Sequence, residues 1–220
     1  GLGSDACNVA ALLDGPYLSS GVDIDLATII HALQDQHTVD REARLHIRSE
    51  AARLRRLLGI PDAPAIDQSH GLLLALAYPD RIARCRSGSS NRYLLANGTG
   101  AILPGWSLLS RSEFLAVGEV DNAGVEAKIL LAAPLDIGDI QRVAEQQMET
   151  LDEIHWDSRA EAVIARRALR LGAIVLGEQP AAPDGEGVVR AMIEGIRGLG
   201  LDALPWNAAA VSLRSRSEWL

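Results

Sequence analysis

Residues 75–103, ALAYPDRIARCRSGSSNRYLLANGTGAIL, mark the point at which the fold changes character. The apolar, helix-like start of this stretch ends at Pro79, because proline disrupts a helix, and Asn97-Gly98 favours a tight turn between two strands. The stretch carries four arginines and a single acidic residue, Asp80. We therefore predict helices before about residue 80, strands after about residue 90 and a basic seam between them.

The segments outside this stretch show further helical patterns. Apolar residues recur at helical intervals over residues 22–33, and again over residues 39–58, where the following Gly59 favours a stop. A third, more uniformly apolar helix is predicted over residues 68–78. The tail after the linker at residues 180–187 is also expected to be helical.

The middle of the chain has the pattern of strands. They are expected at residues 92–96, 101–103, 113–120, 125–133, 148–157 and 162–176. Asp136 should cap a short helix whose Ile137, Ile140 and Val143 or Ala144 face inward. Strands, one intervening helix and two more strands form the order of an OB-fold, a small Greek-key barrel. The expected fold class is α+β, with helices, then an OB-like β-barrel, then C-terminal helices.

The composition is that of a globular protein. The 220 residues are 48% hydrophobic, which suffices for one ordinary core or two small ones. No apolar run approaches the ~20 residues of a membrane helix and no signal-peptide pattern is present, so a cytoplasmic location is expected. Cys7 and Cys85 lie far apart, which predicts neither a disulfide framework nor a zinc site. Because the chain begins Gly1-Leu2-Gly3 without methionine, we expect a longer polypeptide.

Positive charge is concentrated in three segments of an acidic chain. The net charge of −8 argues against non-specific attraction to nucleic acid. Residues 41–60 nevertheless carry six arginines against two glutamates, residues 81–92 carry four arginines and no acid, and residues 158–170 carry four arginines against one glutamate. All but one of the 21 basic residues are arginine, which suits phosphate contacts, although a GC-rich genome would produce the same bias.

The helix predicted over residues 39–58 aligns several of its arginines. At ~100° per residue, those within ~60° of one another along an edge ~20 Å long are Arg41, Arg44, Arg48 and Arg55. Two interpretations are open at this stage. The row is either a solvated helix face or a track for a phosphodiester backbone.

The sequence shows no catalytic pattern. It contains no G-x-x-x-x-G-K-[ST], G-x-S-x-G, H-E-x-x-H or C-x-x-C motif, and its one lysine, Lys128, is predicted in a strand away from any glycine loop. His155 beside Trp156 and Asp157 is interpreted as structural. We therefore predict no catalytic residue, no metal ligand and no cofactor-binding residue in this chain.

The second basic segment is the better candidate for binding. It comprises Arg81, Arg84, Arg86 and Arg92, and phosphate contacts favour arginines that converge from different elements. OB-folds bind single strands across strands 2 and 3 and through two adjoining loops. The corresponding loops here would hold Trp106 with Arg111, and Arg159 with the nearby Arg166. Trp106 is interpreted either as a stacking platform for a base or as a lid over the barrel end.

Six blocks of the sequence are distinctive, namely GLGSDACNVAALLDG, GLLLALAYPDRIAR, RYLLANGTGAIL, KILLAAPLD, IHWDSRAEAVIARRALRLGAIVLGEQP and GLGLDALPWNAAAVSLRSR. These blocks resemble the region behind the motor core of HrpB-type bacterial helicases of the DEAH-box class. They occur in the same order as in that family and cover nearly the whole chain. Both RecA-like motor domains, with their phosphate-binding loop and D-E-x-H motif, are missing from this sequence.

The resemblance implies a helical ratchet-like domain at residues 1–80, an OB-like domain at 81–180 and a C-terminal helical segment at 181–220. It implies no activity for this part alone, since ATP and Mg would bind the motor domains of the full-length helicase. It implies two partners, a single-stranded nucleic acid, RNA rather than DNA, and the motor domains of the same polypeptide. An alternative class stays open, in which the chain is a protein docking module that binds no nucleic acid itself.

Overall fold

The structure is a computed structural model of the chain, and it describes residues 2–15, 23–34, 41–63, 70–105 and 107–217. By its internal contacts the chain divides into two compact units. The first unit comprises residues 1–149 and 170–176, and the second comprises residues 150–169 and 177–220. The division expected from the resemblance, at residues 80 and 180, stays a prediction.

Four helices precede the strands in the first unit. They are α1 (Leu2–Leu13), α2 (Leu26–Gln34), α3 (Arg41–Leu58) and α4 (His70–Ala77). Helix α3 ends at the predicted place, because Gly59 has a φ of +65°, which glycine adopts without strain. The three helices predicted here are confirmed, although residues 22, 39–40 and 68–69 at their predicted starts lie outside the described residues.

Five strands close into a barrel in the order β1-β2-β3-β5-β4. They are β1 (Ile82–Cys85), β2 (Arg92–Leu95), β3 (Gly100–Ile102), β4 (Phe114–Asp121) and β5 (Ala127–Leu135). Neighbouring strands are antiparallel except for β3 and β5, which run parallel. The predicted hairpin is confirmed, since Leu94 pairs with Gly100 across the turn that contains Asn97-Gly98.

The membership of this barrel differs from the prediction. The sequence pattern does not reveal β1, because its neighbouring residues Ile82 and Ala83 are both buried and the strand lacks the alternation of a half-buried strand. Strand β1 pairs with both β2 and β4 and thereby closes the barrel. The expectation that residues 148–176 complete the barrel after an intervening helix is therefore wrong.

Residues 148–180 instead form a three-stranded sheet in the order β6-β7-β8. Its strands are β6 (Met148–Asp157), β7 (Ala162–Leu171) and β8 (Ile174–Pro180). The single strand predicted over residues 162–176 is thus two strands. The chain reverses at Gly172, which has a φ of +52°, and the next residue, Ala173, donates its backbone N–H to the carbonyl oxygen of Ala96 at 2.8 Å.

Helix α5 (Ile137–Ala144) lies between the barrel and this sheet in the chain. The predicted cap is confirmed, because the Asp136 carboxylate accepts the backbone N–H of Asp139 at 2.8 Å. Ile140 and Ala144 are buried as predicted. Ile137 is exposed, contrary to the prediction, because burial begins only one turn further into the helix.

Tyr93 lies at the centre of the barrel core and is fully buried. Its hydroxyl is 3.0 Å from the carbonyl oxygen of Leu109 and 2.9 Å from that of Ser112. Burial raises the pKa of Tyr93, so the hydroxyl stays protonated and remains a donor. This contact fixes the 3-10 turn Leu108–Arg111, which connects β3 to β4, onto the barrel.

The C-terminal helices belong to the second unit. They are α6 (Gly185–Leu199), capped by Asp184, and α7 (Ala208–Ser217). Helix α6 approaches β6 so closely that a Cβ atom at Gly195 would overlap the indole ring of Trp156. In the described part of the chain, none of the helices is long and apolar enough to span a membrane.

Candidate nucleic-acid interface

Helix α3 separates an apolar face from a basic one. Ala43, Ile47 and Ala51 are buried, as their spacing predicts. Arg41 and Arg48, one helical repeat of seven residues apart, are exposed on the other side. Within the described part of the chain, neither side chain forms a hydrogen bond or an ion pair. These two arginines are therefore available to a ligand.

The other arginines of the predicted row are engaged within the protein. Arg55 donates a hydrogen bond from Nη1 to the side-chain oxygen of Asn8 at 3.0 Å, and its Nε lies 3.6 Å from an Asp62 carboxylate oxygen. It thereby connects α3 to α1 and to the segment after α3. Arg44 is half-buried and also has an interaction within the chain. Along the described helix the row therefore alternates: Arg41 and Arg48 have no ion pair, whereas Arg44 and Arg55 are held.

Arg81 has a structural role in the basic seam. Its Nη1 donates a hydrogen bond to the carbonyl oxygen of Gly118 at 2.9 Å, which ties the turn after α4 to β4. Its guanidinium also lies over the ring of Tyr78, 4.6 Å from the ring centroid, which is a cation–π contact. One N–H donor of Arg81 and one face of its guanidinium plane are therefore engaged within the protein.

Arg84 is held still more completely. Its guanidinium forms an ion pair with Glu113 at 3.0 Å and donates a hydrogen bond to the carbonyl oxygen of Val175. The same group lies 5.7 Å from the centroid of the Phe114 ring. Arg84 therefore connects β1 to the start of β4 and to β8, and it is not a free phosphate ligand.

Arg86 and Arg92, both in the predicted seam, approach the same carboxylate. Glu126 is 4.0 Å from Arg86 and 3.6 Å from Arg92. Both guanidinium groups remain partly accessible, with 43% and 55% of their side chains exposed. This is the one place in the described residues where two predicted site residues meet at a common partner.

The loop between β3 and β4 holds the predicted pair Trp106 and Arg111. Trp106 lies outside the described residues, so its proposed stacking role stays a prediction. Arg111 is exposed at the end of the 3-10 turn and has no ion pair within the described ranges. The barrel contact of Tyr93 fixes the turn that carries it.

The third basic segment forms a charge ladder on the three-stranded sheet. Arg166 bonds to Glu153 at 2.9 Å and to Glu178 at 2.8 Å, so it links β6, β7 and β8. Arg167 pairs with Asp152 through two hydrogen bonds of 2.7 and 2.9 Å, which lower the pKa of that carboxyl. Of the predicted residues here only Arg159, in the turn after β6, is exposed without an ion pair among the described residues.

The acidic partners are not evident from the sequence, because most of them lie far from their arginines in the chain. Glu113, Glu126 and Glu178 are brought to Arg84, Arg86 and Arg166 only by strand pairing. No group of three or more histidine, cysteine or carboxylate side chains suited to a metal ion occurs within the described residues.

Comparison with known proteins identifies relatives across almost the whole chain. Residues 147–181 match the connector region of the ATP-dependent RNA helicase HrpB. The chain is 39% identical to the ATP-dependent RNA helicase HrpB of Escherichia coli K12 over 98% of its length, which is 26% of that relative. Crystal structures of the E. coli DExH-box NTPase HrpB and of the E. coli DEAH/RHA helicase HrpB align over 96% of the chain, each with a TM-score of 0.65, at 32% and 30% identity. The chain covers 25% of each crystallised protein and thus spans about a quarter of its relatives.

Proposed function

From the homology of this chain to the C-terminal region of the DEAH/RHA helicase HrpB, we propose that it contacts the backbone of a single-stranded nucleic acid beside a helicase motor. RNA is the proposed strand, because the curated relative is described as an RNA helicase. ATP and Mg would bind the motor domains of the full-length protein, and we propose no catalytic residue here. A cytoplasmic location is part of the same proposal.

The observation that carries this proposal is the pair Arg41 and Arg48 on α3. Two exposed arginines seven residues apart lie ~10 Å from each other along the helix axis, at 1.5 Å per residue. That separation lets one helix edge contact two phosphates of an extended strand. Arg111 and Arg159 are added as further contacts, since their side chains too are exposed without an ion pair among the described residues.

The structure supports a narrower set than the sequence pattern alone. Arg81, Arg84, Arg55 and Arg166 hold the protein together, and we propose that they act on nucleic acid only by shaping the surface. Arg86 and Arg92 keep accessible donors and stay in the proposed set. Arg44, half-buried beside the free pair, belongs to the edge of the same surface.

The architecture is consistent with the domain types of the proposal. A closed five-stranded barrel with one parallel pair, β3 with β5, has the strand count of an OB-fold. The helices before it, α1 to α4, form the part that we propose to be ratchet-like. The contacts that the described residues offer are exposed arginines, which suit the phosphate groups of a backbone.

Fluorescence anisotropy with a labelled single-stranded RNA tests the proposal. The variant Arg48→Glu should weaken binding about tenfold at about 50 mM salt, since it replaces one charge-assisted contact by a repulsive one. It should also reduce the slope of log K against log salt by about 0.7, the value for one phosphate of a single strand. Arg41→Glu combined with Arg48→Glu should lower the RNA affinity and the salt slope further.

The matched control is Arg197→Glu on α6. Arg197 is also an exposed helical arginine without an ion pair in the described part, and its replacement changes the net charge by the same amount. The control should bind RNA nearly as the wild type does. Equal losses in both variants would mean that only net charge matters and would contradict a site on α3.

A docking role is the second candidate function, and α6 favours it. Val189, Met192, Ile193 and Leu199 are exposed on this helix, next to the face that buries Ala191 and Gly195. An apolar stripe in solvent is typical of a protein interface. We propose the motor domains of the same polypeptide as its partner.

The docking candidate is tested with the separately produced motor domains and calorimetry. Met192→Lys should weaken their association with this chain and leave RNA anisotropy unchanged. If Met192→Lys has no effect on association, the α6 stripe is not the docking surface.

A further inference from the structure

Arg86, Arg92 and Glu126 form a cluster on the outer face of the barrel. The distances from the Glu126 carboxylate oxygens are 4.0 Å to Arg86 Nη1 and 3.6 Å to Arg92 Nη2. Both exceed the ~2.7–3.2 Å of a hydrogen bond, so the carboxylate attracts two guanidinium groups without bonding to either. The donors of both arginines therefore remain unused by Glu126.

Strand register adds a third cation to this cluster. Arg92 pairs with Ile102 across β2 and β3, and Ile102 pairs with Lys128 across β3 and β5. Register partners on adjacent strands point to the same side of a sheet, and both Arg92 and Lys128 are exposed. The next row, which contains Tyr93 and Ala101, is buried. By the same rule Lys128 also faces Asp121, its register partner on β4. This outer face therefore carries three cations and two carboxylates, and Glu126 is the carboxylate next to Arg86 and Arg92.

Gly100, the first residue of β3, lies next to the Arg86 guanidinium and the Glu126 carboxylate. A Cβ atom at this position would lie 2.6 Å from Arg86 Nη2 and 3.7 Å from Glu126 Oε1. A side chain here would occupy the space where the guanidinium and the carboxylate approach each other. The absence of a side chain at Gly100 therefore leaves room for the Arg86 guanidinium.

We propose that Arg86 and Arg92 form a phosphodiester site that Glu126 occupies as an internal competitor until a nucleic-acid phosphate displaces it. Phosphate oxygens accept paired hydrogen bonds from guanidinium groups, which Glu126 does not do in this arrangement. The inference rests on the proposed function, because it assigns a second contact point on the same strand.

The test is anisotropy with a labelled single-stranded RNA and the variant Glu126→Gln of the whole chain. Affinity should rise about two- to fivefold, the range that an exposed ion pair spans. The salt slope should steepen by about 0.7 as one more phosphate is contacted. Adding Arg92→Gln should cancel both changes, and Gly100→Ala should reduce them by displacing the Arg86 guanidinium without any change of charge.

Glu113→Gln is the matched control. It removes one carboxylate of the same barrel, but Arg84 stays bound to the Val175 carbonyl and the Phe114 ring, so affinity should not rise. If Glu113→Gln and Glu126→Gln raised the RNA affinity equally, the change in net charge would explain both gains, and the inference would be overturned. Circular dichroism on each variant verifies that the fold is retained.

The outcomes separate this inference from the proposed function. If the wild type binds RNA and Glu126→Gln binds no more tightly, the inference is wrong and the proposed function stands. If neither protein binds RNA at about 50 mM salt, both are wrong. Inorganic phosphate should displace RNA from Glu126→Gln no more than its ionic strength predicts; stronger displacement would identify free phosphate as the ligand and overturn the phosphodiester assignment.

Discussion

Arg41 and Arg48 on α3 extend into solvent without an ion pair in the described chain, whereas Arg81 and Arg84 at the start of the barrel are held on several sides. The two regions have the same kind of residue at similar density. They differ in what lies across from each side chain. On the solvent-facing side of a helix the nearest partners are its own residues three and four positions away, while a strand is flanked by residues from distant parts of the chain.

This difference separates arginines without an ion pair from structural ones by their surroundings in the described chain. The helix positions three and four residues from Arg48 hold no acidic residue, so the helix cannot neutralise it. Arg53, on the same helix, has Glu50 three residues away and pairs with it at 2.6 Å. Local spacing therefore accounts for Arg48 and Arg53. It does not account for Arg55, which has no acidic residue three or four positions away and is held by Asn8 and Asp62. In the barrel, neutralisation depends on strand register.

The largest expected effect is on stability, from Arg84→Ala. The variant loses the ion pair with Glu113, the bond to the Val175 carbonyl and the contact with the Phe114 ring. We expect the free energy of unfolding to fall by about 1.5–3 kcal/mol, the range for hydrogen bonds to charged groups. Urea denaturation followed by circular dichroism measures it.

The control for this prediction is Arg41→Ala. It removes an exposed arginine without an ion pair in the described part, so its effect on unfolding should stay within about 0.5 kcal/mol. If Arg41→Ala destabilised the protein as much as Arg84→Ala, the distinction between free and structural arginines would fail.

A smaller effect is expected when the arginines of α3 are given a neighbouring carboxylate, such as those that the barrel arginines have. Leu45 is exposed and lies four residues after Arg41 and three before Arg48. Leu45→Glu should pair with both arginines and weaken RNA binding about two- to fivefold, the range that an exposed ion pair spans. Unfolding should change by no more than about 0.5 kcal/mol, because such helical pairs contribute little.

Leu45→Gln is the neutral counterpart of this variant. It has the same shape without the charge, so its RNA affinity should equal that of the wild type in the anisotropy assay. A loss of affinity with glutamine as large as with glutamate would show that Leu45 itself contacts the strand.

The sequence predicts the helices and most strands because their signals are local. The apolar spacing and Gly59 are sufficient to predict α3, and Asn97-Gly98 is sufficient to predict the first hairpin. The barrel assignment failed for a non-local reason, since β1 becomes a strand through pairing with β2 and β4 rather than through its own pattern. The same holds for the site, where Glu113 and Glu126 reach their arginines only in the folded barrel.

The smallest expected effect is a shift in the pKa of one carboxyl group, that of Asp152. It extends the comparison of held and free arginines to Arg167 in the second unit. Hydrogen bonds from Arg167 lower the pKa of Asp152 in the folded protein. The stabilisation from this pair is therefore present above the ordinary pKa of 3.8 and is lost as pH falls through the lowered folded value. Arg167→Ala should raise the pKa of Asp152 towards 3.8 in an NMR titration, whereas Arg48→Ala should move no carboxyl comparably, because no described acid pairs with Arg48. An unchanged Asp152 titration in Arg167→Ala would mean that the ladder on the three-stranded sheet does not persist in solution, and its arginines would then count among the free ones.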